Sequence, residues 1–379
     1  MSDEPRTSPT LPSYGEATLA DLASSLLGSL GVPDDPNPLG LPSTPRACLL
    51  IVDGLGWELL RDHPAAAPFL AELAVDGRPL TAGFPSTTVT SLGSLGTGRP
   101  PGAHGMLGYQ VAVPGLGALL NGLRWDRRVD PVEWQPGSTI FERAAAADVS
   151  AYRVAAGAYE QSGLSKAVMR GARYRAANTL GGLVAQAGTA LRESERTFVT
   201  VYLGDLDATG HLFGSSSDAW YYELGHVDKL AEQLAGVLPP DTPLYITADH
   251  GMVDIAPGNR VDVDEVAELR DGVALLGGEP RARHVYANPG AADDVLATWQ
   301  AVLGDRAWVV SRDEAISGGW FGPVGPGIAE RIGDVVAAAA GGTAIVATQA
   351  EPRESVLVGM HGSLTSAEQL VPLLVHGGL

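Results

Sequence analysis

A single cysteine, Cys48, occurs in 379 residues, so the chain can form no internal disulfide. It sits in the apolar run Ala47-Cys48-Leu49-Leu50-Ile51-Val52 and reads as a small buried hydrophobe. Basic residues are also scarce. There are 25 Lys and Arg against 44 Asp and Glu, a formal net charge of −19. Such a surface repels nucleic-acid backbones, which excludes a nucleic-acid polymer as the main partner. It does not exclude a small phosphorylated substrate, because a bound metal can reverse the field inside a cleft. Long apolar runs are missing too. The nearest, Val335 to Ala347, is broken by Gly341, Gly342 and Thr343 and reads as a short helix leading into a strand. No run reaches the roughly 18 residues of a membrane span. The segment Met1-Ser2-Asp3-Glu4-Pro5 lacks the basic and apolar regions of a secretion signal. The expectation is a cytoplasmic protein without a membrane partner. Oligomeric state stays open.

What is present is a globular chain, 45% hydrophobic. Residues 1–17 are polar and are expected to be mobile. Leu19, Leu22, Ala23, Leu26 and Leu30 recur at helical spacing, for packing on the main body or for binding a partner. Five prolines between residues 33 and 45 make an extended connector. From residue 46 the pattern alternates between strand and helix. Buried strands are expected at Cys48–Val52, Ala151–Ala155, Phe198–Leu203, Leu244–Thr247 and Val356–Val358. Helices are expected at Leu183–Glu193 and Asp218–Val237. Buried strands alternating with helices imply an α/β fold, a mostly parallel central sheet sandwiched between helices. Residues 256–345 break the alternation with Arg283–Ala287, a helix near Asp293–Leu303 and Trp308–Val310. They read as a smaller inserted αβ cap. The expected organisation is thus 1–45 for the N-terminal helix and connector, 46–255 with 346–379 for the core, and 256–345 for the cap.

In open α/β sheets the site forms beyond the carboxyl ends of the strands. Four expected strand ends carry acids or imidazoles: Asp53, then Asp205 and Asp207, then Asp249 and His250, then His361. Asp207 and His211 lie four apart, on one face of a helical turn. Both suit zinc, though such a pair also arises by chance. Asp249-His250-Gly251 ends a strand, where a turn at Gly251 lets both groups converge. Asp53-Gly54 fits either a ligand or a turn aspartate bonded to its own backbone. Asp205 fits a supporting carboxylate or a plain strand-end residue. The segment Phe84-Pro85-Ser86-Thr87-Thr88-Val89-Thr90-Ser91 precedes a Gly-rich, helical stretch. Its hydroxyls suit a helix N-cap or a nucleophile beside free helix N–H groups. His63, His104, His226, His284 and His376 read as structural or surface residues. Arg281, Arg283 and His284 read as a basic surface patch, with substrate contact as the other reading.

Taken in order, Val52-Asp53-Gly54, Phe84-Pro85-Ser86-Thr87-Thr88, Thr97-Gly98, Asp207-Ala208-Thr209-Gly210-His211, Ala248-Asp249-His250-Gly251 and Met360-His361-Gly362 resemble the alkaline phosphatase superfamily. The likeness is closest to its nucleotide pyrophosphatase/phosphodiesterase branch, near which phosphonoacetate hydrolase belongs. The resemblance implies two divalent metal ions, zinc or else manganese. One would use Asp207, His211 and His361; the other Asp53, Asp249, His250 and the Thr88 oxygen. It implies hydrolysis of a phosphodiester or pyrophosphate bond in a small phosphorylated substrate. Thr88 would be the nucleophile, and Thr88 and Ser91 would hold a phosphoryl oxygen. A phosphothreonine intermediate follows.

The pattern departs from the family in two places. Ser91 stands where many phosphodiesterases carry Asn, and Val89 where an aromatic often stacks on a base. Both weaken a nucleotide reading. The alternatives are a phosphonoacetate-type phosphonate hydrolase, a phosphomonoesterase, a phosphomutase and, outside enzymes, a metal-stabilised binding protein. No sulfatase signature and no Walker A motif is present.

Overall fold

The computed structural model describes residues 8–377. The core is a sheet of seven strands, in the order 78–81, 370–376, 244–248, 46–52, 197–203, 150–155, 173–176. Arg46–Val52 pairs in parallel with both Thr197–Leu203 and Leu244–Ala248. Ser150–Ala155 continues the parallel pairing outward to Arg173–Ala176. Only Leu370–His376 runs against its two neighbours. Every residue of Thr197–Leu203 and Leu244–Ala248 is buried, as a sheet covered on both faces requires.

Helices supply the cover. Leu19–Ser29 buries ten of its eleven residues and packs on the helix Thr88–Thr97. The N-terminal stripe is therefore core. Its Thr18 and Asp21 form a reciprocal capping box. Asp218–Val237 lies where its periodicity put it and packs on Leu180–Ala190. Residues 8–17 are anchored rather than mobile. Thr10 N–H donates to Leu364 O at 2.8 Å, and the Tyr14 hydroxyl donates to Trp320 O at 2.9 Å. The expectation for residues 1–7 falls outside the described residues. Among those described, no helix is long and apolar enough to cross a membrane.

Within 273–339 lies a second, four-stranded antiparallel sheet, in the order 273–279, 282–287, 335–339, 307–311. The helix Ala292–Leu303 covers it through Val295, Trp299 and Leu303.

Two sequence expectations fail here. Val335–Ala339 is a strand, not a helix, and a loop separates it from the strand Ala344–Val346. Its alanines favour helix, but the segment is held between Ala282–Ala287 and Ala307–Ser311, and pairing overrides propensity. Val356–Val358 is not a strand of the central sheet. Val356 ends a short 3-10 turn and is 66% exposed. The strand before His361 is only Gly359–Met360, paired with Val253–Asp254.

Candidate active site

Three strand ends and one short ribbon deliver the polar groups. Asp53 follows Arg46–Val52. Asp207 and His211 lie on the helix Asp205–Phe213, which begins just after Thr197–Leu203. Nε2 of His211 lies 3.2 Å from Oδ2 of Asp207. Gly54 has φ 77°, and a Cβ there would meet Cβ of Asp207 at 3.0 Å, so only glycine lets that helix approach. Gly251 serves a different purpose from the one expected. Its φ is not left-handed; a Cβ would fall 1.9 Å from the Ala367 carbonyl oxygen. The requirement is space, not a sharp turn.

Thr88 opens the fully buried helix Thr88–Thr97. Thr87 occupies the N-cap position but makes no side-chain capping bond. Its hydroxyl donates instead to Oε2 of Glu279 at 3.1 Å. The Thr88 hydroxyl is 3.3 Å from Nε2 of His250. Neither threonine spends its oxygen on the helix end, so the N-cap reading does not describe them. Ser91 is placed less favourably for its expected role. Its N–H donates to Thr87 O at 2.9 Å and cannot hold a phosphoryl oxygen. Its hydroxyl is buried without a partner, and Ser91 does not line the cavity at Thr88.

The ligand-type atoms cluster. One atom from each of Asp207, His211 and His361 lies within 4.8 Å of the others, and so does one from each of Asp53, Asp207 and His250. Asp207 thus joins both groups. Asp249, expected in the second, stands slightly back. Its Oδ1 accepts from Gly54 N–H at 3.2 Å and His250 N–H at 3.0 Å. Its Oδ2 is 3.7 Å from Nε2 of His250.

Two observations test whether these residues fit metal ions. First, Oδ1 of Asp53, Oδ1 of Asp207 and Oδ2 of Asp249 are all buried without a hydrogen-bond partner. Buried carboxylate oxygens are rarely left so unless they bind something. Second, Nδ1 of every imidazole faces a backbone carbonyl: His211 that of Gly359 at 2.7 Å, His250 that of Gly251 at 2.9 Å, His361 that of Ser86 at 3.1 Å. A carbonyl can only accept, so Nδ1 carries the proton and a neutral ring offers its Nε2 lone pair inward. Mixed imidazole and carboxylate donors suit divalent zinc or manganese.

The electrostatics show how much negative charge the cluster gathers without a cation in it. Burial disfavours a charged His250, but Asp249 and then Asp53 outweigh it and hold its pKa well above the ordinary value. Burial likewise opposes charge on His211, yet Asp207 carries its pKa up to about 9. Burial and the neighbouring Asp53 push the Asp249 carboxyl well above its normal range. Crowded acids of this kind call for positive charge between them.

Several participants escaped the sequence. Glu279, at the end of Val273–Glu279, lines the Thr88 cavity; Oε1 is buried without a partner, and burial pushes the carboxyl up to about 8. Tyr202 donates its hydroxyl to Oδ2 of Asp53. The cavity itself is about 300 Å³ and also takes in Tyr109 and the exposed Arg124 and Arg353. Glu279 and Tyr202 had no motif to mark them. Asp205 is exposed and belongs to neither ligand group.

The remaining histidines lie outside. His104 bonds Ser94 and Met106, and His284 bonds Leu107 and Gly333. His63, His226 and His376 do not line the cavity. Arg281 and Arg283 are fully buried, not a surface patch. Arg281 pairs with Glu368 at 2.5 Å and Arg283 with Glu351 at 2.8 Å.

The fold agrees with what comparison with known proteins finds. The model of the family "type I phosphodiesterase / nucleotide pyrophosphatase" matches residues 47–364. The chain belongs to this family of phosphoester hydrolases. Murine ectonucleotide pyrophosphatase/phosphodiesterase 5 superposes with a TM-score of 0.70 at 18% identity, covering 87% of this chain and 88% of that one. An inactive form of it in complex with AMP gives 0.70 at 18%, covering 88% of each. Phosphonoacetate hydrolase from Sinorhizobium meliloti in complex with phosphonoacetate gives 0.66 at 19%, covering 87% and 89%. At such identities the likeness is one of fold. No curated protein matches the chain.

Proposed function

We propose that this protein is a two-metal hydrolase that splits a phosphodiester or pyrophosphate bond of a small substrate through a phosphothreonine at Thr88. The observation that carries the reading is convergence. Three imidazoles whose Nδ1 faces a carbonyl and three carboxylates with an unpartnered buried oxygen gather in one cluster, and the Thr88 hydroxyl lies 3.3 Å from Nε2 of His250 within it. Asp207, His211 and His361 would hold one ion; Asp53, Asp249 and His250 would hold the other, beside Thr88, with Asp207 shared between the two. Divalent ions bound there lower the pKa of a hydroxyl and neutralise charge gathering on phosphoryl oxygens.

The chain's own groups do the rest. The Thr88 hydroxyl loses its proton to solvent and its oxygen attacks phosphorus; a Thr88 O–P bond forms as the bond to the leaving oxygen breaks, and the departing oxygen takes up a proton from water. The leaving oxygen departs on the side lined by Asp207, His211 and His361. Water then attacks the phosphothreonine, and Thr88 leaves with its oxygen intact. Free N–H groups at the start of Thr88–Thr97 face the developing negative charge. Tyr202 fixes the Asp53 carboxylate, and the three carbonyls fix the imidazoles, so little reorganisation accompanies the reaction.

The neighbours support a small phosphorus-containing substrate: one is in complex with AMP and the other with phosphonoacetate. The test is metal analysis with a panel of chromogenic diesters, monoesters and phosphonoacetate, each with Zn²⁺ or Mn²⁺. Diester cleavage that needs metal supports the reading. Strong preference for monoesters overturns the choice of bond.

A further inference from the structure

Arg153 lies in the buried strand Ser150–Ala155 and is only 2% exposed. Unlike Arg281 and Arg283, it pairs with no carboxylate among the described residues. Its Nη1 reaches only the Met169 sulfur, at 3.5 Å. Its Nε has no hydrogen-bond partner. The guanidinium stands 5.3 Å over the Tyr202 ring, which offers a weak cation–π contact and no counter-charge. Leaving a buried cation unpaired is costly, and buried charges are ordinarily paired.

The space beside Arg153 indicates what completes this one. Arg153 lines a cavity of about 140 Å³ together with Thr88, Leu92, Leu123, Leu164 and Met169. Thr88 also lines the larger cavity that holds Asp207, His211 and His361. A phosphorus atom placed at Thr88 can therefore send one substituent toward Arg153. We propose that Arg153 recognises a carboxylate carried on the substrate, close to the scissile phosphorus; this rests on the phosphoryl-hydrolase reading above.

Charge and size both favour a carboxylate. Among the described residues Arg153 is the only charged one lining the small cavity, so it balances one negative charge and leaves a phosphate dianion half-compensated. The guanidinium fork matches a carboxylate's two oxygens. Leucine and methionine form part of the wall, and the hydroxyls of Tyr159, Ser162 and Ser165 also line it as further donors that a carboxylate can accept from. The volume falls below the roughly 300 Å³ at which drug-sized pockets begin, too little for a sugar with its base.

The test uses the full, metal-loaded chain and calorimetric binding of three probes: phosphonoacetate, methylphosphonate and malonate. The wild type is expected to bind phosphonoacetate at least tenfold more tightly than methylphosphonate. Arg153→Met removes that preference, and Arg153→Lys keeps part of it. Without ligand, Arg153→Met melts higher than wild type, because an apolar side chain of similar length replaces an unpaired charge. A preference that survives in Arg153→Met overturns the proposal. So does a lower melting temperature of that variant, which would make Arg153 a structural residue. Malonate separates the two readings: malonate binding that Arg153→Met abolishes, with no phosphonate binding, keeps the anion site and removes the phosphoryl reading.

Discussion

The Tyr202 hydroxyl donates to Oδ2 of Asp53, while Oδ1 of the same carboxylate faces Nε2 of His250 at 3.3 Å. One oxygen is held by the scaffold and the other is left for the cluster. A supporting contact of this kind typically alters metal affinity about 10–100-fold. Tyr202→Phe is therefore expected to weaken metal binding by about tenfold while leaving the fold intact. Chelator competition measures this; unchanged affinity would show that the hydroxyl does not orient Asp53.

Asp207 belongs to both ligand groups. Its loss should be felt twice. Asp207→Asn is expected to lower the metal content of both positions, whereas His361→Gln lowers only one. Elemental analysis of the purified variants decides. Equal loss in the two variants would remove the shared role.

Arg281 and Glu368 form a buried ion pair that ties the hairpin after Glu279 to the segment following His361. Ser363 N–H also donates to Glu368, and Gly251 N–H donates to the Glu368 carbonyl. Removing one partner strands the other charge, at a cost of about 3–5 kcal/mol. Arg281→Met should lower stability by that amount in urea unfolding. A change below about 1 kcal/mol would mean the pair is not sustaining the two loops.

His104 and His284 are buried and neutral. Burial, with Arg99 and Arg331 nearby, pulls His104 down to about 3, and burial pulls His284 down to about 4. An unfolded histidine titrates near 6.5. Between those values the unfolded chain binds the extra protons, so stability is full above pH about 6.5 and falls as pH drops toward 4. Each group contributes a loss of about 1.4 kcal/mol per pH unit in that window. Urea unfolding at several pH values should show a shallower decline in His284→Gln than in the wild type. Parallel declines would contradict the assignment.

Much of this was legible in the sequence because the chemistry follows regular elements. The runs ending at Val52, Leu203 and Ala248 are continuous apolar strands, and each announces the polar group beyond it. The helix Asp205–Phe213 places Asp207 and His211 together by spacing alone. What stayed hidden depends on tertiary contact. His361 was legible as a candidate ligand, but the element that carries it was not: it follows a two-residue ribbon whose partner, Val253–Asp254, lies far off in sequence. Glu279 enters from the second sheet, and nothing local distinguishes it from a surface acid. Arg153 did leave a signal: it is the one charged residue in the buried run Ala151–Ala155. Arg281 and Arg283 misled because their partners, Glu368 and Glu351, are distant. Gly251 misled because crowding, not φ, requires it.

The central claim is that Thr88 is the nucleophile beside bound divalent ions. Its most direct test is turnover of a chromogenic diester by metal-loaded Thr88→Ala, with metal content measured on the same sample. Metal content close to wild type and a fall in kcat of about a thousandfold or more are expected. Wild-type turnover with both ions bound would contradict it.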